Sequence, residues 1–152
     1  MNWLSFNCRG MAGPAKKLAF RRMLELEKVD IIFLQETLSL IDHIIPTLEA
    51  LVSGWHCHAL DVQGRSGSIA FGYNPRAIKL LNIWGGGIIG ADIFSSDLGR
   101  DLRLIKVYGP CIHREIYWEK ILNYSYMLVD NIILGGDLNF SIRHVESWGQ
   151  NA

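Results

Sequence analysis

The sequence predicts a mixed α/β or α+β layered domain, and three observations support that prediction. Short apolar runs rich in β-branched residues alternate with stretches whose apolar residues recur every three or four positions. A series of strand-length segments occupies the middle of the chain. With 152 residues, 49% of them hydrophobic and 11% aromatic, the chain has the length of one domain and enough apolar side chains for a core.

The first predicted elements are a strand and a helix. The segment NWLSFNC alternates loosely between polar and apolar residues, and the glycines of GMAGPAKK then mark a turn. Pro14 stands at a suitable first helical position, and apolar residues recur at spacings of three and four through residues 14–28. We interpret the basic side chains of this helix, Lys16, Lys17 and Arg21, as a solvated face.

The next predicted elements are a buried strand and a second helix. VDIIFLQE is a short, almost wholly apolar run with β-branched residues, which is typical of a strand covered on both faces. This strand ends in Glu36. A helix is predicted for about residues 38–52, where Pro46 indicates either a kink or a late start.

The middle of the chain predicts a β-meander. WHCHALDV, SIAFGY, AIKLLNIW, IIGADIF and LRLIKVYG each have the length of a strand, and clusters of glycine, asparagine, proline or aspartate separate them. Residues 112–129 carry apolar side chains at mixed spacing, which favours a well-buried helix. The apolar run in IILGGDLNF, residues 132–140, predicts a last strand.

Charge, cysteine content and hydropathy narrow the class of protein. Lys and Arg total 15 against 15 Asp and Glu, so the charge balance neither indicates nor excludes a nucleic-acid partner. The three cysteines form no CxxC pair, which favours packed thiols in a reducing compartment. The N-terminus lacks the pattern of a secretory signal, and no apolar run approaches the roughly 18 residues needed to span a bilayer. We expect an intracellular protein of the nucleus or cytoplasm, not secreted and without a membrane partner.

Polar residues follow four predicted strands: Asn7, Glu36, Tyr108, and Asp137 with Asn139. Asp137 and Asn139 project to the same side if the extended conformation continues through them. Taken alone, GGDLN is also typical of a turn, Glu36 of a surface carboxylate, and Tyr108 of a half-buried core residue. Ligands gather where strand ends converge, and carboxylate and amide oxygens suit Mg²⁺ or Mn²⁺. The pattern therefore predicts a metal and phosphate site.

Five motifs in order, NCRG, QET, GRSGSIAFGY, VYGP and GGDLNF, resemble the endonuclease/exonuclease/phosphatase family. That family includes pancreatic deoxyribonuclease, apurinic endonucleases and the endonuclease domains of LINE-type retrotransposons. VYGP, the aromatic-rich helix after it and GGDLN look most like plant non-LTR retroelement endonucleases. The resemblance implies a DNase I-like four-layered α/β sandwich and phosphodiester hydrolysis dependent on Mg²⁺ or Mn²⁺.

The resemblance also implies a role for each motif residue. Asn7 would help to orient the phosphate or the metal shell, and Glu36 would be the main metal ligand. Tyr108 would contact the phosphate, Asp137 would orient or deprotonate the attacking water, and Asn139 would hold the transition-state oxygens or a neighbouring catalytic group.

DNA is the partner that the resemblance implies. Arg65 and Ser66 belong to a loop that lies close to the nucleic-acid backbone in similar proteins. The sequence does not indicate an oligomeric state.

The family pattern finishes with a further metal-associated aspartate and a Ser-Asp-His type motif, and no such segment follows GGDLNF here. We therefore expect residues 1–152 to be a single partial domain of this family, a fragment or degenerate copy with weak or no activity. General acid–base groups contribute on the order of 10² to 10⁴ in rate, so their loss is consequential.

The histidines offer weak substitutes for that motif. His56 and His58 share a predicted strand face, but two ligands without further Cys or His at suitable spacing favour a structural role. His113 is interpreted as a surface or helix-capping residue, and His144 as an improbable surrogate base.

Three functional hypotheses follow from these patterns. The first is a Mg²⁺-dependent endonuclease that nicks DNA. The second is a catalytically dead remnant that binds nucleic acid or another protein at most. The third keeps the hydrolase chemistry but changes the substrate to a phosphoinositide, a sphingolipid or a nucleotide-derived phosphodiester, because such motifs recognise the phosphate and not its substituents.

Overall fold

The computed structural model describes residues 1–11, 13–61, 68–85, 88–110 and 113–139. The strands in these ranges are β1 (Trp3–Asn7), β2 (Ile31–Gln35), β3 (His56–Asp61), β4 (Ser68–Tyr73), β5 (Ile78–Gly85), β6 (Ile89–Ser95), β7 (Arg100–Tyr108) and β8 (Ile132–Asp137). The helices are α1 (Pro14–Leu26), α2 (Ile41–Leu51) and α3 (Arg114–Asn123), with a 3₁₀ turn at Ser125–Met127.

The strands form two four-stranded sheets. The first has the order β1-β2-β4-β3, and the second has the order β5-β6-β7-β8. Each sheet contains one parallel pair, β1 with β2 and β7 with β8, while the other neighbours are antiparallel. The predicted β-meander is therefore wrong as a single unit, because β3 and β4 join the first sheet and β5 to β7 join the second. Strand-length patterns alone carry no information about which sheet a strand enters.

Three apolar clusters separate four layers. Outward residues of the first sheet, such as Ile32 and Leu34, pack with α1 and α2, and inward residues of both sheets, such as Phe33 and Leu104, pack against each other. Outward residues of β7 pack with Ile121 of α3. The order helices, sheet, sheet, helix confirms the predicted four-layered α/β sandwich.

Two of the predicted helices differ from expectation. The second begins at Ile41, three residues later than predicted, and Pro46 lies in its interior instead of marking its first turn. The helix predicted for residues 112–129 is shorter, and α3 buries Ile121 while Ile116 and Leu122 remain 54% and 61% exposed. An outer-layer helix buries only the stripe that faces its sheet, so the prediction of a well-buried helix is wrong. Within the described ranges, no helix combines the length and the apolar character that crossing a membrane requires.

Candidate active site

The site lies where the two parallel strand pairs end. Asn7 at the end of β1 is in register with Gln35, the last residue of β2, and Tyr108 at the end of β7 is in register with Asp137 of β8. Strands β1 and β8 contact each other across the gap between the sheets. Parallel strands present their carboxyl ends at one edge, so the polar residues that follow all four strands meet there.

The Asn7 amide bridges two carboxylates that come from different sheets. Asn7 Nδ2 donates one hydrogen bond to Glu36 Oε1 at 2.8 Å and another to Asp137 Oδ2 at 3.1 Å. The Tyr108 hydroxyl donates to the same Glu36 Oε1 at 2.8 Å, although the tyrosine side chain is 37% exposed. The structure thus brings together four of the residues that the sequence singles out, from segments up to 130 positions apart.

Asn139 reaches this cluster through its backbone. The sequence predicts that Asp137 and Asn139 project to the same side only if the strand continues through both. Strand β8 ends at Asp137, and Asn139 has a left-handed φ of 50°, so the chain is not extended at Asn139. Its backbone N–H donates to Asp137 Oδ1 at 3.2 Å, while its side-chain amide donates to the Gly109 carbonyl. The GGDLN segment is therefore a strand through Asp137 and a turn after it, with the turn fixing the carboxylate.

Two unusual backbone positions deliver the carboxylates. Glu36 directly follows β2 and has φ of 52°, a left-handed conformation that non-glycine residues adopt infrequently. Gly136 precedes Asp137 with φ of 149°, and a Cβ there would overlap the carbonyl oxygen of Val107. Glycine is therefore required next to Asp137, because any side chain would push β8 away from β7.

Neither carboxylate forms a salt bridge within the described part of the chain, although the charge of Asp137 interacts with the Lys106 ammonium. The salt bridges there involve Met1 with two aspartates and Arg103 with Asp92, and neither Glu36 nor Asp137 takes part in one. Two carboxylates that share one amide donor repel each other unless a cation lies near them. This arrangement favours the binding of a positive ion.

A buried lysine that the sequence reasoning missed lies beside the cluster. Lys106 is 1% exposed, and its Nζ donates to Ser5 Oγ of β1. Burial lowers the pKa of Lys106 to about 8, and the charge of Asp137 opposes that shift. The segment LRLIKVYG contained a signal for this burial, because alternation along the strand places Lys106 on the same face as the core residues Leu102 and Leu104.

The donor set fits a hard divalent cation. Glu36 and Asp137 bring two carboxylates to the Asn7 amide, which presents its NH₂ group to them while its oxygen accepts the Arg9 N–H. Mg²⁺ is commonly bound by one or two carboxylates while keeping several waters. The described residues contain no group of three or more His, Cys, Asp or Glu side chains that would enclose a metal completely. Carboxylate oxygens are the kind of ligand that Mg²⁺ and Mn²⁺ prefer.

The remaining candidates lie elsewhere or outside the described residues. Arg65, Ser66 and His144 are outside the described ranges. The imidazoles of His56 and His58 stack on Tyr73, and burial lowers the pKa of His58, in agreement with a structural role.

His113 agrees with its interpretation as a surface or capping residue. It precedes α3 at the N-cap position and is exposed, with a left-handed φ of 54° and no side-chain capping hydrogen bond. None of the described histidines is hydrogen-bonded to the cluster at the strand ends, which consists of Asn7, Glu36, Tyr108, Asp137 and Asn139.

The endonuclease/exonuclease/phosphatase family model matches residues 4–151, nearly the whole chain. The chain belongs to this family. Family membership accounts for the order of the motifs and for their meeting at one edge of the sandwich. No curated protein sequence matches the chain.

Solved structures of the endonuclease/exonuclease/phosphatase family have the same fold. The catalytic domain of human Nocturnin with bound sulfate has a TM-score of 0.65 at 15% identity, with 91% of this chain covered. A D. rerio TDP2 humanised by 14 mutations has a TM-score of 0.69 at 16% identity over 91% of the chain. The mannosyl-6-phosphatase Bt3783 of Bacteroides thetaiotaomicron has a TM-score of 0.64 at 15% identity over 90%.

This family member is shorter than the structures it matches. It spans 64% of the Nocturnin chain, 62% of the TDP2 chain and 64% of the Bt3783 chain. At sequence identities of 15% to 16%, the structural similarity shows a shared DNase I-like fold. The activities in the names of the three proteins are not thereby assigned to this chain.

Proposed function

We propose that this chain is a phosphodiester hydrolase domain dependent on Mg²⁺ or Mn²⁺, acting on DNA as an endonuclease of the plant LINE-type retroelement class. The observation that carries the proposal is the Asn7 amide, which holds the carboxylates of Glu36 and Asp137 from two different sheets at one point. The motif resemblance supports the retroelement class, and the family match supports the hydrolase class.

Each side chain has a specific task in this proposal. Glu36 would be the main ligand of a divalent cation, and the Asn7 amide would help to orient the metal shell through its hydrogen bonds to both carboxylates. Such a cation would supply charge that offsets the negative charge developing on the phosphoryl oxygens. Asp137 would orient or deprotonate the attacking water, since its Oδ1 and Oδ2 are held by the Asn139 N–H and by Asn7. The Tyr108 hydroxyl, already oriented by Glu36, would contact the phosphate.

Asn139 would have an indirect task. Its backbone N–H fixes Asp137, and its carbonyl accepts a hydrogen bond of 2.8 Å from Arg114 of α3. With this geometry Asn139 would hold a neighbouring catalytic group, Asp137, which is one of the two roles that the resemblance implies. The other role, direct contact with transition-state oxygens, would require its amide to leave the Gly109 carbonyl.

DNA is the proposed substrate. Besides the motif resemblance, one fold neighbour, D. rerio TDP2, was solved with a single-strand DNA product. Arg65 and Ser66 would lie beside the nucleic-acid backbone. Small phosphate esters or lipid phosphates are less favoured substrates, although Bt3783 is a mannosyl-6-phosphatase and ANGEL2 is a 2′,3′-cyclic phosphatase.

A catalytically inactive protein that binds nucleic acid or another protein is the second candidate. The observation that favours it is the lack of a hydrogen bond from any described histidine to the cluster. A general acid contributes on the order of 10² to 10⁴ in rate, so a site without one would retain binding but little turnover.

Nicking of supercoiled plasmid with Mg²⁺ or Mn²⁺ tests the proposal. We expect weak nicking by the wild type, and we expect Glu36→Gln and Asp137→Asn each to lower that rate by about 10² or more, since each removes a charge while keeping the shape. Asp101→Asn, an exposed carboxylate on β7, is the matched control and should nick like the wild type.

The same proteins separate the two candidate functions. A wild type that is as silent as its variants but still binds a labelled oligonucleotide in fluorescence anisotropy supports the inactive binding protein. Equal nicking by the wild type and by Glu36→Gln would exclude this cluster as the catalytic site.

A further inference from the structure

The loop that follows β1 has a strained and highly organised backbone. Arg9 and Gly10 have left-handed φ values of 42° and 86°. The Cys8 N–H donates to the Gln35 carbonyl at 2.9 Å, and the Gly10 N–H donates to the Glu36 carbonyl at 2.7 Å, so the loop is joined to the end of β2. Conformations of this kind persist only where surrounding contacts hold them.

Lys16 supplies the contact on the other side of this loop. Its Nζ donates to the carbonyls of three consecutive residues, Cys8 at 2.9 Å, Arg9 at 3.3 Å and Gly10 at 3.0 Å. An ammonium group has three protons, so the loop satisfies every donor of the side chain. Lys16 is exposed, in agreement with its interpretation as part of a solvated face, but its ammonium also binds the loop, which the sequence pattern did not indicate.

The position of Lys16 in its helix is electrostatically unfavourable by itself. It lies in the first turn of α1, which contains no acidic residue, and the positive end of the helix dipole disfavours a cation there. The three carbonyl oxygens offset that cost. Lys16 therefore stabilises the loop and not the helix in which it lies.

The loop in turn orients Asn7. The Arg9 N–H donates to Asn7 Oδ1 at 3.3 Å, which directs the Nδ2 group of the same amide toward Glu36 and Asp137. If the backbone at Arg9 moved, the amide could rotate and its two hydrogen bonds to the carboxylates would be lost. A chain of contacts thus runs from the Lys16 ammonium through the loop to the amide.

We propose that Lys16 is a positioning residue, which holds the three carbonyls of the loop so that the Asn7 amide stays between Glu36 and Asp137. The kinetic part of this inference rests on the proposed hydrolase function, whereas the structural part does not. Lys16 itself contacts neither carboxylate, so it acts through Asn7.

The test compares Lys16→Met with Lys17→Met. Both variants keep an apolar stem and remove one positive charge from the same helical turn, but the Lys17 ammonium, unlike that of Lys16, donates no hydrogen bond among the described residues. We expect Lys16→Met to lower kcat for plasmid nicking by about tenfold or more with KM nearly unchanged, because small misplacements of a catalytic group are costly. Lys17→Met should nick like the wild type.

Chemical rescue distinguishes positioning from a general loss of stability. In Lys16→Ala the three carbonyls remain as acceptors, and methylammonium chloride should restore a measurable part of kcat. Tetramethylammonium chloride, which has no N–H donor, should not. Lys16→Met with wild-type kcat, or the same loss in Lys17→Met, would overturn the proposal.

A readout independent of activity covers the case in which the wild type does not nick. The side-chain amide resonances of Asn7, observed by ¹⁵N NMR, should shift and their protons should exchange faster in Lys16→Met than in Lys17→Met. A silent wild type would count against the proposed function alone. Unchanged Asn7 resonances in Lys16→Met would overturn the positioning role.

Discussion

Strands β2 and β8 each deliver one carboxylate to the same site, but their surroundings differ sharply. Residues 31 to 34 of β2 are 0% exposed, because β1 and β4 flank the strand and both of its faces are covered by other layers. In the described part of the chain β8 has one sheet neighbour, β7, and all six of its residues are only half-buried. Glu36 is thus supported by the core, whereas Asp137 depends on one strand pair and on Gly136.

The largest expected difference is in core packing. Ile32→Ala in β2 should lower the free energy of unfolding by about 4 kcal/mol, because a 0% exposed side chain leaves a cavity. The same substitution at the half-buried Ile133 of β8 should cost about 1 to 2 kcal/mol. Urea denaturation measures both. Equal costs would show that β8 is as tightly packed as β2.

A smaller difference is expected between two strand glycines. Gly136→Ala should cost about 3 kcal/mol and weaken Mn²⁺ binding, because its Cβ would meet the backbone oxygen of Val107 at a left-handed φ. Gly72→Ala in β4 meets the Ile32 side chain, which can move, so about 1 kcal/mol is expected. Denaturation and Mn²⁺ titration check both variants, and a Gly136→Ala protein with wild-type stability would contradict the close approach of β8 to β7.

The smallest expected effect concerns Lys106, which links β7 to Ser5 of β1. The pKa of Lys106 is lowered to about 8 in the folded chain, whereas an unfolded lysine titrates at about 10.4. Between these pH values the unfolded state binds the extra proton, so stability rises with pH from about 8 to about 10. The gain is at most about 1.4 kcal/mol per pH unit across this interval, since one proton is released from the unfolded state when the chain folds.

The corresponding measurement is urea unfolding at several pH values for the wild type and for Lys106→Met. Subtracting the free energy of unfolding of Lys106→Met from that of the wild type at each pH removes the contribution of other groups that titrate in this range, such as Cys57. Parallel stability curves would show that Lys106 keeps its ordinary pKa in the folded chain.

Much of the local structure could be predicted from the sequence. The continuous apolar run of β2 and the spacing of α1 encode their own conformations, and both elements lie within two residues of their predicted ends. The α3 region could not be predicted as well, because its mixed spacing does not reveal which stripe faces a sheet. Ile116 and Leu122 belong to the helix predicted to be well buried, but both side chains are exposed.

The sequence by itself determined the order of strands and helices, the family and the five polar residues at the strand ends. Tertiary structure alone decided that β3 and β4 leave the sheet of β5 to β7, and that Asn7 meets an aspartate 130 positions away. It also decided that Lys16 binds a loop and that Lys106 is buried. The physical reason is that periodicity and turn residues are local signals, whereas strand partners, backbone strain and buried charge depend on contacts between distant segments.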